Sequence, residues 1–128
     1  MIDLIPVLID SSAWIEYFFG TNKGLKVREI FSNQNYELFT PKIVISEVIS
    51  KLTRTNFNPT KAFEAINNLS LPAKETNEIY FKAGQIHAEQ FEKNKISMAD
   101  SIIMAIAKEN KYKILSFDKH FELNKLTI

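Results

Sequence analysis

The sequence predicts an α/β fold, a three-layer α/β/α sandwich with a central, mainly parallel sheet. Short apolar runs of strand length, Val7-Leu-Ile9, Glu37-Leu-Phe-Thr40 and Tyr112-Lys-Ile-Leu-Ser-Phe117, alternate with longer stretches of helical periodicity. Strands joined through helices connect by right-handed crossovers, which make neighbouring strands parallel and cover both faces of the sheet. The 128 residues, 45% hydrophobic and 24% charged, suit one domain with its own core.

Val7–Ile9 is read as a buried strand, with Pro6 at its first position, where a missing N–H costs little. Ser11 or Ser12 caps a helix over Ala13–Phe19, and Gly20 ends it. A second short helix over Gly24–Asn33 has Leu25, Val27, Ile30 and Phe31 as its apolar positions. After the strand Glu37–Thr40, Thr40-Pro41 opens a helix to about Thr55, with one broad apolar face from Ile43 to Leu52. Asn58-Pro59 opens the next, through Ala62, Phe63, Ile66 and Leu69, and a longer helix spans Glu75–Lys93. Ser97-Met-Ala-Asp100 is a capping box ahead of Ile102, Ile103 and Ile106. The strand Tyr112–Phe117 follows, and Lys125–Ile128 is read as a last edge strand.

Composition narrows the chemistry. The chain has no Cys, which excludes zinc ribbons, thiol catalysis and a disulfide framework, and a cytoplasmic setting is expected. Sixteen Lys and Arg against fifteen Asp and Glu give a net charge of +1, so any polyanion must be gripped locally. The apolar run Leu4–Ile9 is too short for a membrane span and lacks the flanks of a signal peptide.

Only four of the fifteen acids are Asp, and two of those directly follow strands: Asp10 after Val7–Ile9, and Asp118 after Ile114-Leu-Ser-Phe117. Asp100 opens a helix, and Glu47 lies between one and two turns into the helix after the second strand. Ligands of such sheets bind beyond the carboxyl ends of the strands, where all four acids can converge. Converging carboxylates repel one another unless a cation neutralises them. Mg²⁺ or Mn²⁺ suits oxygen donors and leaves positions open for phosphate oxygens, so the chemistry implied is phosphodiester hydrolysis.

These residues resemble the PIN-domain nucleases, and among them the small toxins of the VapC type. The resemblance rests on Val7-Leu-Ile-Asp10-Ser-Ser12, Pro41-Lys-Ile-Val-Ile-Ser-Glu47-Val, Ser97-Met-Ala-Asp100-Ser-Ile-Ile-Met-Ala105 and Ile114-Leu-Ser-Phe-Asp118-Lys-His-Phe121, in that order, over nearly the whole chain. It implies a PIN-like fold and a Mg²⁺- or Mn²⁺-dependent endoribonuclease with Asp10, Glu47, Asp100 and Asp118 as its acidic, metal-binding site. It also implies that Ser12 and Ser116 orient carboxylate or water. An RNA substrate, a cognate antitoxin protein and a homodimer are the implied partners. The sequence departs from the family at Asn110-Lys-Tyr112, where many members have a glycine, and at Ser116, where Thr is commoner.

Each acid also has a structural role open to it. Asp100 can cap its helix, Asp10 and Asp118 can be turn residues, and Glu47 can pair with Lys51 at i,i+4. Asp3 and Glu16 are read as solvated, His87 as a half-buried helix residue, and His120 as exposed and outside the chemistry. Trp14, Tyr17, Phe18 and Phe19 place more rings on one helix than a single face can bury, which leaves core and interface equally open. Lys42, Lys51, Arg54, Lys93, Lys95 and Lys119 are mostly solvated surface, from which a local phosphate-gripping rim can be drawn.

Two rival classes remain. One is a different metal-dependent phosphoryl hydrolase on a similar fold; a haloacid-dehalogenase-like phosphatase needs an Asp where this chain has Ser12, and a response-regulator receiver needs an acidic pair near its first strand. The other is an inactive PIN-like binding module.

Overall fold

The computed structural model describes residues 3–128, apart from the side chains of residues 122 and 123. In chain order the elements are β1 (Ile5–Ile9), α1 (Ser11–Phe19), α2 (Asn22–Ser32), β2 (Tyr36–Thr40), α3 (Lys42–Arg54), α4 (Pro59–Leu69), β3 (Leu71–Pro72), α5 (Asn77–Asn94), α6 (Met98–Asn110) and β4 (Lys113–Leu115), followed by a short 3-10 turn, Lys119–Asn124. The four strands form one parallel sheet in the order β3-β2-β1-β4. β1 is central: Leu8 lies between Phe39 of β2 and Ile114 of β4, and Val7, Leu8 and Ile9 are fully buried. That burial on both faces is why the strand reads as a continuous apolar run rather than an alternating one.

Right-handed crossovers place α1 to α4 on one face of this sheet and α5 and α6 on the other. The packing agrees, with α1 against α2 and α3, α3 against α4, and α5 against α6. The chain steps outward from β1 through β2 to β3, then returns to pair β4 on the opposite edge of β1. The reversal opens a crevice between β1 and β4 at their carboxyl ends.

Local chemistry sets most helix starts. Thr21, Asn58, Thr76 and Ser97 each accept a backbone N–H of the first turn, satisfying donors that have no partner within the helix, and Pro59 fills the first position of α4. Gly20 ends α1 in the left-handed conformation, at φ +65°. α2 packs closely on α1 through Gly24, where a Cβ would lie 2.0 Å from the Glu16 carbonyl oxygen. α6 ends on Lys111, at φ +57°, so a lysine holds the left-handed position that a glycine would take without strain.

The aromatic residues of α1 divide between core and surface. Trp14 is fully buried, with Phe18 stacked 5.6 Å away and Phe31 at 4.9 Å, and Phe18 meets Phe57 at 5.6 Å. Tyr17 joins them, while Phe19 is 42% exposed. The Trp14 indole N–H donates to Thr40 Oγ1 (3.2 Å), which satisfies the one polar atom of the ring and ties α1 to the end of β2.

The structure departs from the sequence reading in several places. α1 begins at Ser11 with Asp10, not Ser11 or Ser12, at its N-cap, and α3 begins at Lys42 with Pro41, not Thr40, at its N-cap, because Asp10 and Pro41 are the last extended residues before the helices. β3 was not expected, because two exposed residues carry no periodicity. β4 covers three residues rather than six: Tyr112 precedes the ladder, and Ser116 and Phe117 have left it. The edge strand expected at Lys125–Ile128 reduces to a bridge between Lys125 and Ile114, with the Leu126 N–H on the Ile114 carbonyl. α2 begins at Asn22, two residues earlier than expected, because Thr21 caps it. Among the described residues, no helix is long and apolar enough to cross a membrane.

Candidate active site

Asp10 sits where β1 gives way to α1. It occupies the N-cap position, yet its side chain does not cap, so its carboxylate is free for other contacts. Oδ2 accepts from Ser116 Oγ at 2.7 Å and from Ser12 Oγ at 3.1 Å, and the two hydroxyls lie 3.1 Å apart. The same hydroxyls take up backbone donors of the strand-to-turn segment: Ser12 Oγ accepts the Phe117 N–H and Ser116 Oγ accepts the Asp118 N–H. The crevice between β1 and β4 is thus laced by two serines, with Asp10 only 3% exposed beneath them.

Asp118 caps the 3-10 turn, accepting the His120 N–H on Oδ1 at 2.9 Å. This bond brings the His120 imidazole back over the site. Its Nδ1 lies 3.2 Å from Asp118 Oδ1 and 3.1 Å from Asp100 Oδ2. Ser97 caps α6 through the Asp100 N–H, while the Asp100 carboxylate itself meets His120. His120 is therefore half-buried and inside the cluster, contrary to the exposed, uninvolved position read from sequence. The Asp-x-His spacing was visible; the turn that folds the ring back was not.

Glu47 reaches in from α3. Its Oε1 is buried and has no hydrogen-bond partner, and among the described residues Glu47 forms no ion pair with Lys51. Burial raises its pKa above the ordinary carboxylate value, and the charges of Asp10 and Asp100 raise it further against a hydrogen bond from Ser11. Asp10 is also raised, first by burial; hydrogen bonds from Ser116, the Ser11 backbone and Ser12 oppose this, and the charge of Asp100 adds to it.

Asp10, Glu47, Asp100 and Asp118 line one open cleft of about 740 Å³, with Ser12 on its wall and the buried Ser116 behind Asp10. Glu16, read as solvated, also lines it and is half-buried, whereas Asp3 is exposed as expected. Of the six cations considered for a phosphate rim, Lys51 and Arg54 line the cleft; Lys42, Lys93, Lys95 and Lys119 do not. The donors suit a hard divalent ion: several carboxylates, one buried oxygen without a partner, and one ligand atom each from Asp100, Asp118 and His120 within 4.8 Å of one another.

The family model described as the PIN domain matches residues 7–125. No curated protein sequence matches the chain. Among solved structures, the fold is similar to that of Mycobacterium tuberculosis VapC20, titled a sarcin–ricin loop cleaving toxin, at TM-score 0.78 and 15% identity over 94% of this chain and 96% of that one. A toxin–antitoxin complex from Klebsiella pneumoniae gives TM-score 0.74 at 14% identity, over 94% and 96% of the two chains. PAE2754 from Pyrobaculum aerophilum gives 0.68 at 10%, over 94% and 85%.

Proposed function

Because the chain belongs to the PIN-domain family, we propose that it is a Mg²⁺- or Mn²⁺-dependent endoribonuclease and the toxin of a type II toxin–antitoxin pair. The observation that carries this reading is the convergence of Asp10, Glu47, Asp100 and Asp118 on one cleft at the sheet's topological switch point, with Glu47 Oε1 buried and unpartnered. Negative charge this concentrated is costly in a metal-free protein and useful in one that takes up a cation.

In this reading Asp10, Asp100 and Asp118 hold the ion, and Glu47 holds it or orients the attacking water. A bound Mg²⁺ or Mn²⁺ supplies charge neutralisation at the phosphate and a water acidic enough to ionise near neutral pH. Ser12 and Ser116 act through Asp10, fixing the rotation of its carboxylate by donating to Oδ2. Lys51 and Arg54, in the last turn of α3, face the cleft and take the phosphates that flank the scissile one. The toxin assignment, with a cognate antitoxin, is supported by the nearly complete two-way match to the VapC20 toxin fold and to a chain of a toxin–antitoxin complex; a homodimer and a cytoplasmic setting are proposed with it.

The test is incubation of total cellular RNA with purified protein in Mg²⁺ or Mn²⁺, beside an EDTA control and an Asp100→Asn preparation made identically. Metal-dependent cleavage that is lost in the variant supports the ribonuclease. Absence of both cleavage and metal binding by the wild type selects the inactive binding module instead.

A further inference from the structure

We infer that His120 is a nitrogen donor to the ion, which makes this a mixed carboxylate–imidazole site that favours Mn²⁺ over Mg²⁺. The inference rests on the metal site proposed above and adds to it a residue outside the four acids. It is carried by geometry. Nδ1 of His120 stands 3.1 Å from Asp100 Oδ2 and 3.2 Å from Asp118 Oδ1, and one donor atom from each of the three lies within 4.8 Å of the others. Six-coordinate ions with bonds near 2.1 Å place their ligands about 3 Å apart when adjacent and about 4.2 Å apart when opposite. His120 Nδ1 therefore stands from each carboxylate oxygen at the separation of adjacent ligands on one small ion.

The imidazole is held there by the fold. The Asp118 carboxylate caps the 3-10 turn through the His120 N–H, so the backbone contact that starts the turn also aims the ring. Phe121, the next residue, is 2% exposed and anchors the turn in the core. The ring is half-buried, so less ordering is left for binding to impose. An imidazole matters differently to the two ions. Mg²⁺ is the harder and prefers oxygen throughout, whereas Mn²⁺ begins the first-row series whose affinity for nitrogen donors rises along it.

The test uses the whole wild-type chain, His120→Ala and His120→Gln, each freed of metal with EDTA and dialysed. Mn²⁺ and Mg²⁺ affinities are measured by calorimetry, and pulsed electron paramagnetic resonance of the Mn²⁺ complex reads directly bonded nitrogen. The expected result is nitrogen modulation in the wild type that both variants lose. Mn²⁺ affinity should fall roughly 10- to 100-fold, with Mg²⁺ affinity falling much less. Absence of nitrogen modulation in the wild type, or equal losses for both ions, overturns the assignment and leaves His120 as a residue that only orients the carboxylates. Thermal melts in EDTA that overlay the wild type show the variants to be folded. A wild-type protein that binds Mn²⁺ through nitrogen supports this inference whether or not it cuts RNA, so the inference and the ribonuclease reading fail separately.

Discussion

Glu47→Gln should stabilise the metal-free protein. The carboxylate of Glu47 places a buried, unpartnered Oε1 among the charges of Asp10 and Asp100, and burial and those charges both raise its pKa above 4.5. An unsatisfied buried polar atom costs about 1 to 3 kcal/mol, and the lower end applies because Glu47 is only partly buried. The amide keeps the shape, removes the charge and can donate toward a neighbouring carboxylate. A gain of about 1 kcal/mol corresponds to a melting temperature roughly 3 to 5 °C higher for a domain of this size.

The effect depends on pH in a fixed direction. A carboxyl whose folded pKa is raised binds its proton more tightly when folded, so the destabilisation is fully present above the folded pKa and is relieved as pH falls toward the unfolded value. The advantage of Glu47→Gln, measured by thermal melts in EDTA, should be largest near pH 7 and close by about pH 4.5, the unperturbed value. Adding Mn²⁺ should raise the wild-type melting temperature more than the variant's, because binding rewards the charge that folding penalises. A variant that melts below the wild type in EDTA at pH 7 would refute the reasoning, since it would show that the Ser11 hydrogen bond outweighs burial and the neighbouring charges.

Other substitutions test the fold and the cleft. Gly24→Ala drives a methyl against the Glu16 carbonyl, 2.0 Å from the ideal Cβ, and should cost roughly 2 to 4 kcal/mol by urea denaturation. Lys111→Gly relieves a left-handed lysine at φ +57° and should stabilise by about 1 kcal/mol, with cleavage unchanged. Joint replacement of Lys51 and Arg54 by Ala removes the two cleft cations proposed to take phosphates. At about 0.7 log units per contact on a single strand, the salt dependence of log KM should flatten by about 1.4, and KM should rise about 25-fold at 0.1 M salt while kcat holds. An unchanged salt slope would place the substrate elsewhere.

The acids were legible because local rules position them. Asp10 and Asp118 follow strands, and a parallel sheet offers its ligands the ends of its strands; Asp100 was fixed by the Ser97 cap, and Glu47 by its distance from Pro41. The strand count, the shortened β4 and the bridge at Lys125 were not legible, because pairing partners decide where a ladder stops. His120 was missed for a related reason. Its backbone contact with Asp118 is local, but the ring's other neighbour, Asp100, arrives from a helix that begins 22 residues earlier in the chain, at Met98. Glu16 was misread because periodicity placed it on a helix without saying which side of α1 faces the crevice.

The lacing of β1 to the segment after β4 has a consequence for biosynthesis. Ser12 and Ser116 are 104 positions apart, and the Asp10–Ser116 bond spans 106. A growing chain that has reached the end of α4 already carries Asp10 and Glu47 but has neither Asp100, Asp118 nor the strand that closes the crevice. No N-terminal portion that stops short of Asp118 can assemble the cluster, and contacts of such long range are slow to form. The acidic cluster is thereby completed only when nearly all of the domain has emerged.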